Sequence, residues 1–203
     1  MTELLFSTAF TLWGLDTSWL ELIAVLLAFA MILCNIVELH WGWPLAAISS
    51  VLYFFLFWSQ RLYGDALLQV LFVALALWGW SVWLRGVAGS PLPVTRIPSR
   101  QRLTLSISGT LLWLATGSAL LNFTDTDVPW WDAFPTAFSL VGQYLLAHKR
   151  LENWAVWIIV NIVAAGLFAW KGLWLTTLLY LVFIALSAMG WRTWAKHVQM
   201  EAT

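Results

Sequence analysis

Apolar residues run along this chain in blocks of about twenty, broken by short polar punctuation. A hydrocarbon layer about 30 Å thick takes roughly 20 helical residues to cross, so each block has the length of one membrane span. Seven blocks can be counted: Trp19–Glu38, Trp41–Ser59, Tyr63–Leu84, Leu103–Asn122, Trp131–Ala147, Asn153–Trp170 and Leu173–Trp194. None alternates with a period of two over about ten residues, the mark of a membrane β-barrel. The pattern predicts an all-α membrane protein with seven transmembrane helices. The stretch Leu4–Leu15 is too short to cross and has Glu3 where a cleaved signal would have basic residues. It is expected to lie at the membrane interface, within an N-terminal segment 1–18.

Composition agrees with the pattern. Hydrophobic residues make up 62% of the chain and charged residues 10%, against roughly 45–50% and about 25% in soluble domains. Ten basic residues balance ten acidic ones, so no basic surplus exists to hold a nucleic-acid backbone. The lone Cys34 excludes a disulfide within the chain and any paired-cysteine metal or redox site. His40, His148 and His197 fall at or beyond helix ends without a ligand-like spacing, so neither a metal nor a cofactor is expected.

Charge sets the expected orientation, because Lys and Arg are retained on the cytoplasmic side. With the N-terminus outside, Arg85, Arg96, Arg100, Arg102, Lys149, Arg150, Arg192 and Lys196 all face the cytoplasm. Only Arg61 and Lys171 then face out, together with the acidic loop Asp125–Asp127. An N-out, C-in protein of the inner cell membrane follows. The Gly/Pro/Arg-rich residues 85–102 read as a cytoplasmic linker between two halves, and residues 195–203 as a cytoplasmic tail.

The two halves look alike. A constant shift of 111 positions takes Trp19 to Trp130, Glu21 to Asp132, Trp43 to Trp154 and Leu62 to Leu173. It also takes Gly79-Trp80-Ser-Val-Trp83 to Gly190-Trp191-Arg-Thr-Trp194. Such a gapless shift predicts an internal duplication, residues 19–84 and 130–194 each forming a three-helix repeat. The helix 103–122 between them makes the separation even, so both repeats enter the membrane from the same side and are parallel. A three-plus-one-plus-three carrier with a cavity between its repeats is the expected architecture.

Candidate binding residues are the polar and aromatic groups within the spans, since each costs free energy there unless it is used. No Asp, Glu, Lys or Arg stands at the middle of any span, and Asp65 and Asp132 lie near the outer helix ends. Proton coupling therefore lacks its usual carboxylate, and facilitated diffusion is the simplest mode. In the sixth span Trp154, Trp157 and Asn161 recur on one stripe, Trp154 also being placed where a membrane-interface tryptophan would stand. The corresponding stripe of the second span is Trp43, Ala46, Ser50 and Tyr53. Gln143 with Ser139, Gln69 with Asp65, and Tyr180 with Thr176 and Thr177 complete the hydrogen-bonding groups; helix-to-helix bonding is the alternative use of each.

Several stretches together resemble the Pnu vitamin transporters. Glu152-Asn153-Trp154-Ala-Val-Trp157-Ile-Ile-Val-Asn161 is similar to that family's ENWxxW signature. Leu62-Tyr63-Gly-Asp65-Ala-Leu-Leu-Gln69 and Ser139-Leu-Val-Gly-Gln143-Tyr144 resemble its third-helix and fifth-helix motifs. The resemblance covers Trp19 to Trp194. It implies a SWEET-like fold, a homotrimer, no enzymatic activity, and facilitated uptake of nicotinamide riboside that is trapped by intracellular phosphorylation.

That ligand carries a pyridinium cation, an amide and ribose hydroxyls. A tryptophan face such as that of Trp157 holds a delocalised cation, while Asn161, Gln143 and Gln69 can each donate and accept hydrogen bonds. Ser50, Tyr53, Asn153, Trp154, Tyr180 and Thr177 are the remaining candidates. A nucleotide would call for Lys or Arg within the spans. Thiamine, also cationic and aromatic, remains an alternative substrate of the same fold. A membrane-embedded enzyme is a remote alternative, since only Glu38 and His40 come together and no third group joins them.

Overall fold

The computed structural model describes residues 6–12, 15–59, 63–87, 89–124, 126–170 and 174–200. Arg61, Leu62, Asp125, Lys171, Gly172 and Leu173, and the side chains of Asp65 and Thr176, lie outside the described residues. Among those described, the chain forms two strands, β1 (Thr8–Leu12) and β2 (Leu15–Ser18), and seven helices. These are α1 (Trp19–Ile36), α2 (Gly42–Ser59), α3 (Tyr63–Arg85), α4 (Ser99–Phe123), α5 (Pro129–Ala147), α6 (Asn153–Trp170) and α7 (Trp174–Met200). By length and apolarity α1, α4, α6 and most of α3 and α7 qualify as membrane spans among the described residues.

The expected spans agree with these bounds to within a few residues, and α6 agrees at both ends. The larger differences have one cause. α4 starts at Ser99, before Leu103, and α7 continues past Trp194 to Met200. Both extensions are polar, and backbone hydrogen bonding continues where hydropathy stops. The interfacial segment expected over 1–18 contains an antiparallel hairpin, with Phe10 opposite Thr17 and Thr11 opposite Asp16. Ser18 then starts α1, its Oγ accepting from the Glu21 N–H at 3.2 Å, an N-cap that satisfies one of the helix's unpaired donors.

Contacts divide the chain into two compact units, Met1–Arg85 and Gly86–Thr203. In the first, α1 packs on α2 and α2 on α3; in the second, α4, α5, α6 and α7 pack in chain order. The stretch expected to be a linker belongs to the second unit and is ordered by it. Val94 and Ile97 are buried, the Thr95 N–H donates to the Lys149 carbonyl at 3.0 Å, and the Thr95 carbonyl accepts from Leu151 N–H at 2.9 Å.

The two elbows share a backbone hydrogen-bond pattern. Where α1 turns into α2, the N–H groups of Val37, Glu38, Leu39, Gly42 and Trp43 donate to the carbonyls of Leu33, Asn35, Cys34, Leu39 and His40. Where α5 turns into α6, His148, Lys149, Arg150, Asn153 and Trp154 donate to Tyr144, Leu146, Leu145, Arg150 and Leu151. Each bond maps onto its counterpart by the 111 shift. Glu38 and Lys149, also related by it, adopt the left-handed conformation with φ of 58° and 46°.

Candidate functional site

Three of the predicted site residues, Ser50, Tyr53 and Gln69, lie in the first unit; Gln143, Asn153, Trp154, Trp157, Asn161, Thr177 and Tyr180 lie in the second. The second set is the more informative. Its frame is α6, which leaves the α5 elbow at Asn153 and runs for 18 residues, about 27 Å at 1.5 Å per residue.

Trp154 and Asn153 have no face free for a ligand. Trp154 is 3% exposed and Asn153 fully buried. The Trp154 indole meets Trp194 edge to face at 5.4 Å and covers Gly190, where any added Cβ would overlap the ring. Asn153 donates from Nδ2 to the Arg150 carbonyl at 2.7 Å, closing the elbow. The Trp154 ring is packed into α7, which supplies a glycine where the ring lies.

Trp157 and Asn161 sit one and two turns further along. Trp157 is half-buried and rests on α5 at Gly142, where a Cβ would stand 3.0 Å from its Cε2. Glycine at that position lets the ring lie directly against the α5 backbone. Gln143, the next residue, is half-buried, and its Oε1 is buried with no hydrogen-bond partner among the described residues. Asn161 is buried on the same stripe of α6. An indole and two amides are thus carried by two packed helices. An unmatched buried carbonyl oxygen costs about 1–3 kcal/mol, a cost that an N–H or O–H donor on a ligand would remove.

Tyr180 belongs to an aromatic cluster of α6 and α7, 5.1 Å from Phe168 and 5.8 Å from Phe183 between ring centroids. Thr177, less than one turn before it, is half-buried. In the first unit Ser50, Tyr53 and Gln69 are half-buried. The neighbouring serine is the one that bonds between helices: Ser49 Oγ donates to the Ala24 carbonyl at 2.9 Å, tying α2 to α1.

A groove of about 520 Å³ opens in the second unit among Trp113, Leu114, Trp130, Trp131, Phe134 and Val163. None of the predicted site residues lines it. Trp113 spends its Nε1–H on the Trp130 carbonyl at 2.8 Å, so the groove has little to offer an amide or a ribose. No cluster of His, Cys, Asp or Glu able to hold a metal occurs among the described residues.

The reading of residue types overlooked Glu152. It appears in the motif without a role, yet its two carboxylate oxygens reach two different partners in the stretch before α4 and in its first turn. A charge at the junction of a helix start and an elbow was the available signal.

An apolar seven-helix chain with an aromatic and amide stripe suits a carrier of a planar polar ligand. Residues 18–196 match the family model described as nicotinamide mononucleotide transporter. The chain belongs to this family. It is 24% identical over 207 residues to the nicotinamide riboside transporter PnuC of Escherichia coli, covering 89% of this chain and 87% of that one. It is 26% identical over 195 residues to the riboflavin/roseoflavin transporter RibM of Streptomyces davaonensis, covering 93% and 90%. The crystal structure of the vitamin B3 transporter PnuC superposes with a TM-score of 0.73 at 22% identity, covering 90% of this chain and 83% of that chain. The family places this chain among multi-pass membrane transporters and not among enzymes. The relatives thus differ in the vitamin they are named for.

Proposed function

We propose that the protein carries nicotinamide riboside across the inner cell membrane by facilitated diffusion. The observation that carries this reading is the seating of Trp157 on Gly142, whose neighbour in the chain, Gln143, has a buried unpartnered carbonyl, in a chain of the nicotinamide mononucleotide transporter family. An indole face attracts a pyridinium cation by about 2 kcal/mol or more when desolvated, without a fixed counter-charge that would slow release. Gln143 and Asn161 suit the carboxamide and hydroxyls of the ligand. The absence of Lys and Arg from the middle of the spans favours the riboside over its phosphorylated form.

On this reading the two repeats are parallel and arranged as three-plus-one-plus-three, the SWEET-like order that the 111 shift supports. The eight-to-two division of basic residues supports an N-out, C-in orientation. Lack of a midspan carboxylate supports uniport, with uptake driven by phosphorylation inside the cell. A homotrimer is the proposed assembly, checked by the mass of the detergent-solubilised protein.

The likeness to RibM favours one competing substrate, a flavin. Calorimetric titration of the purified protein with nicotinamide riboside, nicotinamide mononucleotide, thiamine and riboflavin separates the readings. Selective riboside binding that is lost in Trp157→Ala and Asn161→Ala is the expected result. Riboflavin or thiamine binding without riboside binding would keep the carrier and overturn the substrate.

A further inference from the structure

The start of α6 is held from outside the helix pair it belongs to. Residues 94–97 lie along the α5–α6 elbow, with Thr95 in a parallel bridge to Arg150. Arg150 Nη1 donates to Thr95 Oγ1 at 2.6 Å and to the Arg96 carbonyl at 3.2 Å. Glu152 completes the attachment. Its Oε2 accepts from the Ile97 N–H at 3.1 Å, and its Oε1 pairs with Arg102 Nη2 at 3.1 Å. Arg102 in turn donates from Nε to the Ile97 carbonyl at 3.1 Å, so carboxylate, guanidinium and backbone form a closed ring.

The first elbow shares this backbone and cannot share this attachment. The 111 shift maps Arg150 and Glu152 onto Leu39 and Trp41, which carry no charge. The same asymmetry runs along the helices that follow, because Trp157 and Asn161 map onto Ala46 and Ser50. The pinned elbow is therefore the one that feeds the helix bearing the bulky ligand stripe. Trp157 stands five residues beyond Glu152, and its ring meets α5 at Gly142, where a Cβ would stand 3.0 Å from it. A small rotation of α6 at its start would lift that ring off Gly142.

We propose that Glu152 is a positioning residue for substrate. By holding the Ile97 N–H and Arg102 at once, it fixes the angle and rotation at which α6 leaves the elbow, and through them the placement of Trp157 and Asn161. This inference rests on the reading that the α6 stripe binds the vitamin. A carboxylate is required because the two bonds are made by two oxygens to two donors, one of them charged; a glutamine keeps a single acceptor.

The test is titration of the purified full chain with nicotinamide riboside for Glu152→Ala, Glu152→Gln, Trp157→Ala and the exposed-site control Arg100→Ala, each with its ligand-free melting temperature. Glu152→Ala is expected to weaken binding about tenfold, the scale of a lost charge-assisted hydrogen bond, with Glu152→Gln intermediate and Arg100→Ala unchanged. A lowered melting temperature with unchanged affinity in both Glu152 variants would overturn the positioning role and leave a structural one. Trp157→Ala binding like the wild type would instead overturn the site on which the proposal rests. If Glu152→Ala does not fold, Glu152→Gln alone decides, since a wild-type affinity there counts against the proposal.

Discussion

Trp43 and Trp154 occupy the same place in their two units. Each is the second residue of its helix, each packs edge to face on a tryptophan of the next helix (Trp43 on Trp83 at 5.7 Å, Trp154 on Trp194 at 5.4 Å), and each covers a glycine four residues before that partner. Both indole N–H groups are buried without an acceptor among the described residues. The same aromatic-on-glycine packing thus recurs at positions related by the 111 shift.

Gly79→Ala and Gly190→Ala are expected to destabilise the protein by about 1–3 kcal/mol each, the usual cost of overfilling a packed site. The measurement is ligand-free thermal unfolding in detergent. Because the two sites are equivalent, losses of very different size would contradict a shared packing role.

Trp157→Ala should lower riboside affinity roughly thirtyfold if about 2 kcal/mol of cation–π attraction is lost. Trp157→Phe should retain part of it, since a phenyl ring keeps a weaker face. Titration calorimetry reads both, and a full-affinity alanine variant rules this ring out of the site.

Adjacent serines should separate stability from binding. Ser49→Ala removes the buried bond to the Ala24 carbonyl and should cost about 0.6–2 kcal/mol, the range for bonds between membrane helices. Its effect on ligand affinity should be small. Ser50→Ala should leave the melting temperature in place, and a drop in affinity there would assign Ser50 to the ligand.

Glu38 provides a backbone test. A non-glycine residue in the left-handed region pays about 1 kcal/mol that glycine avoids. Glu38→Gly should therefore be neutral or stabilising in thermal unfolding, whereas Glu38→Val, β-branched and unsuited to a positive φ, should destabilise. Equal destabilisation by both would mean that the Glu38 side chain, not its backbone, holds the elbow.

Much of the fold could be read from residue order because the constraint is simple. Every backbone polar group in a span must be satisfied within its own helix, so span length and apolarity give the seven helices directly. The constant shift of 111 was equally legible, and the two elbows show the same shift in their hydrogen bonds. The docking of residues 94–97 on the α5–α6 elbow was not legible. Gly, Pro and Arg over residues 85–102 describe a linker equally well whether or not it docks, and the contacts that order it join positions 50 and 55 apart in the chain. The hairpin at Thr8–Ser18 escaped for a related reason, since strands of five and four residues are too short to impose a period.

Trp154 and Trp157 mark the boundary between the two kinds of knowledge. Sequence alone determined that both lie on one stripe of a membrane helix, because helical geometry assigns neighbours three apart to one face. It could not say which ring was spoken for. A tryptophan in a membrane helix can be interface anchor, core or binding face, and the choice depends on what stands opposite. Gly190 on α7 receives Trp154 and buries it, while Gly142 on α5 receives Trp157 and leaves it half-buried. Periodicity is a property of one helix; burial is a property of two, and only their packing decided it.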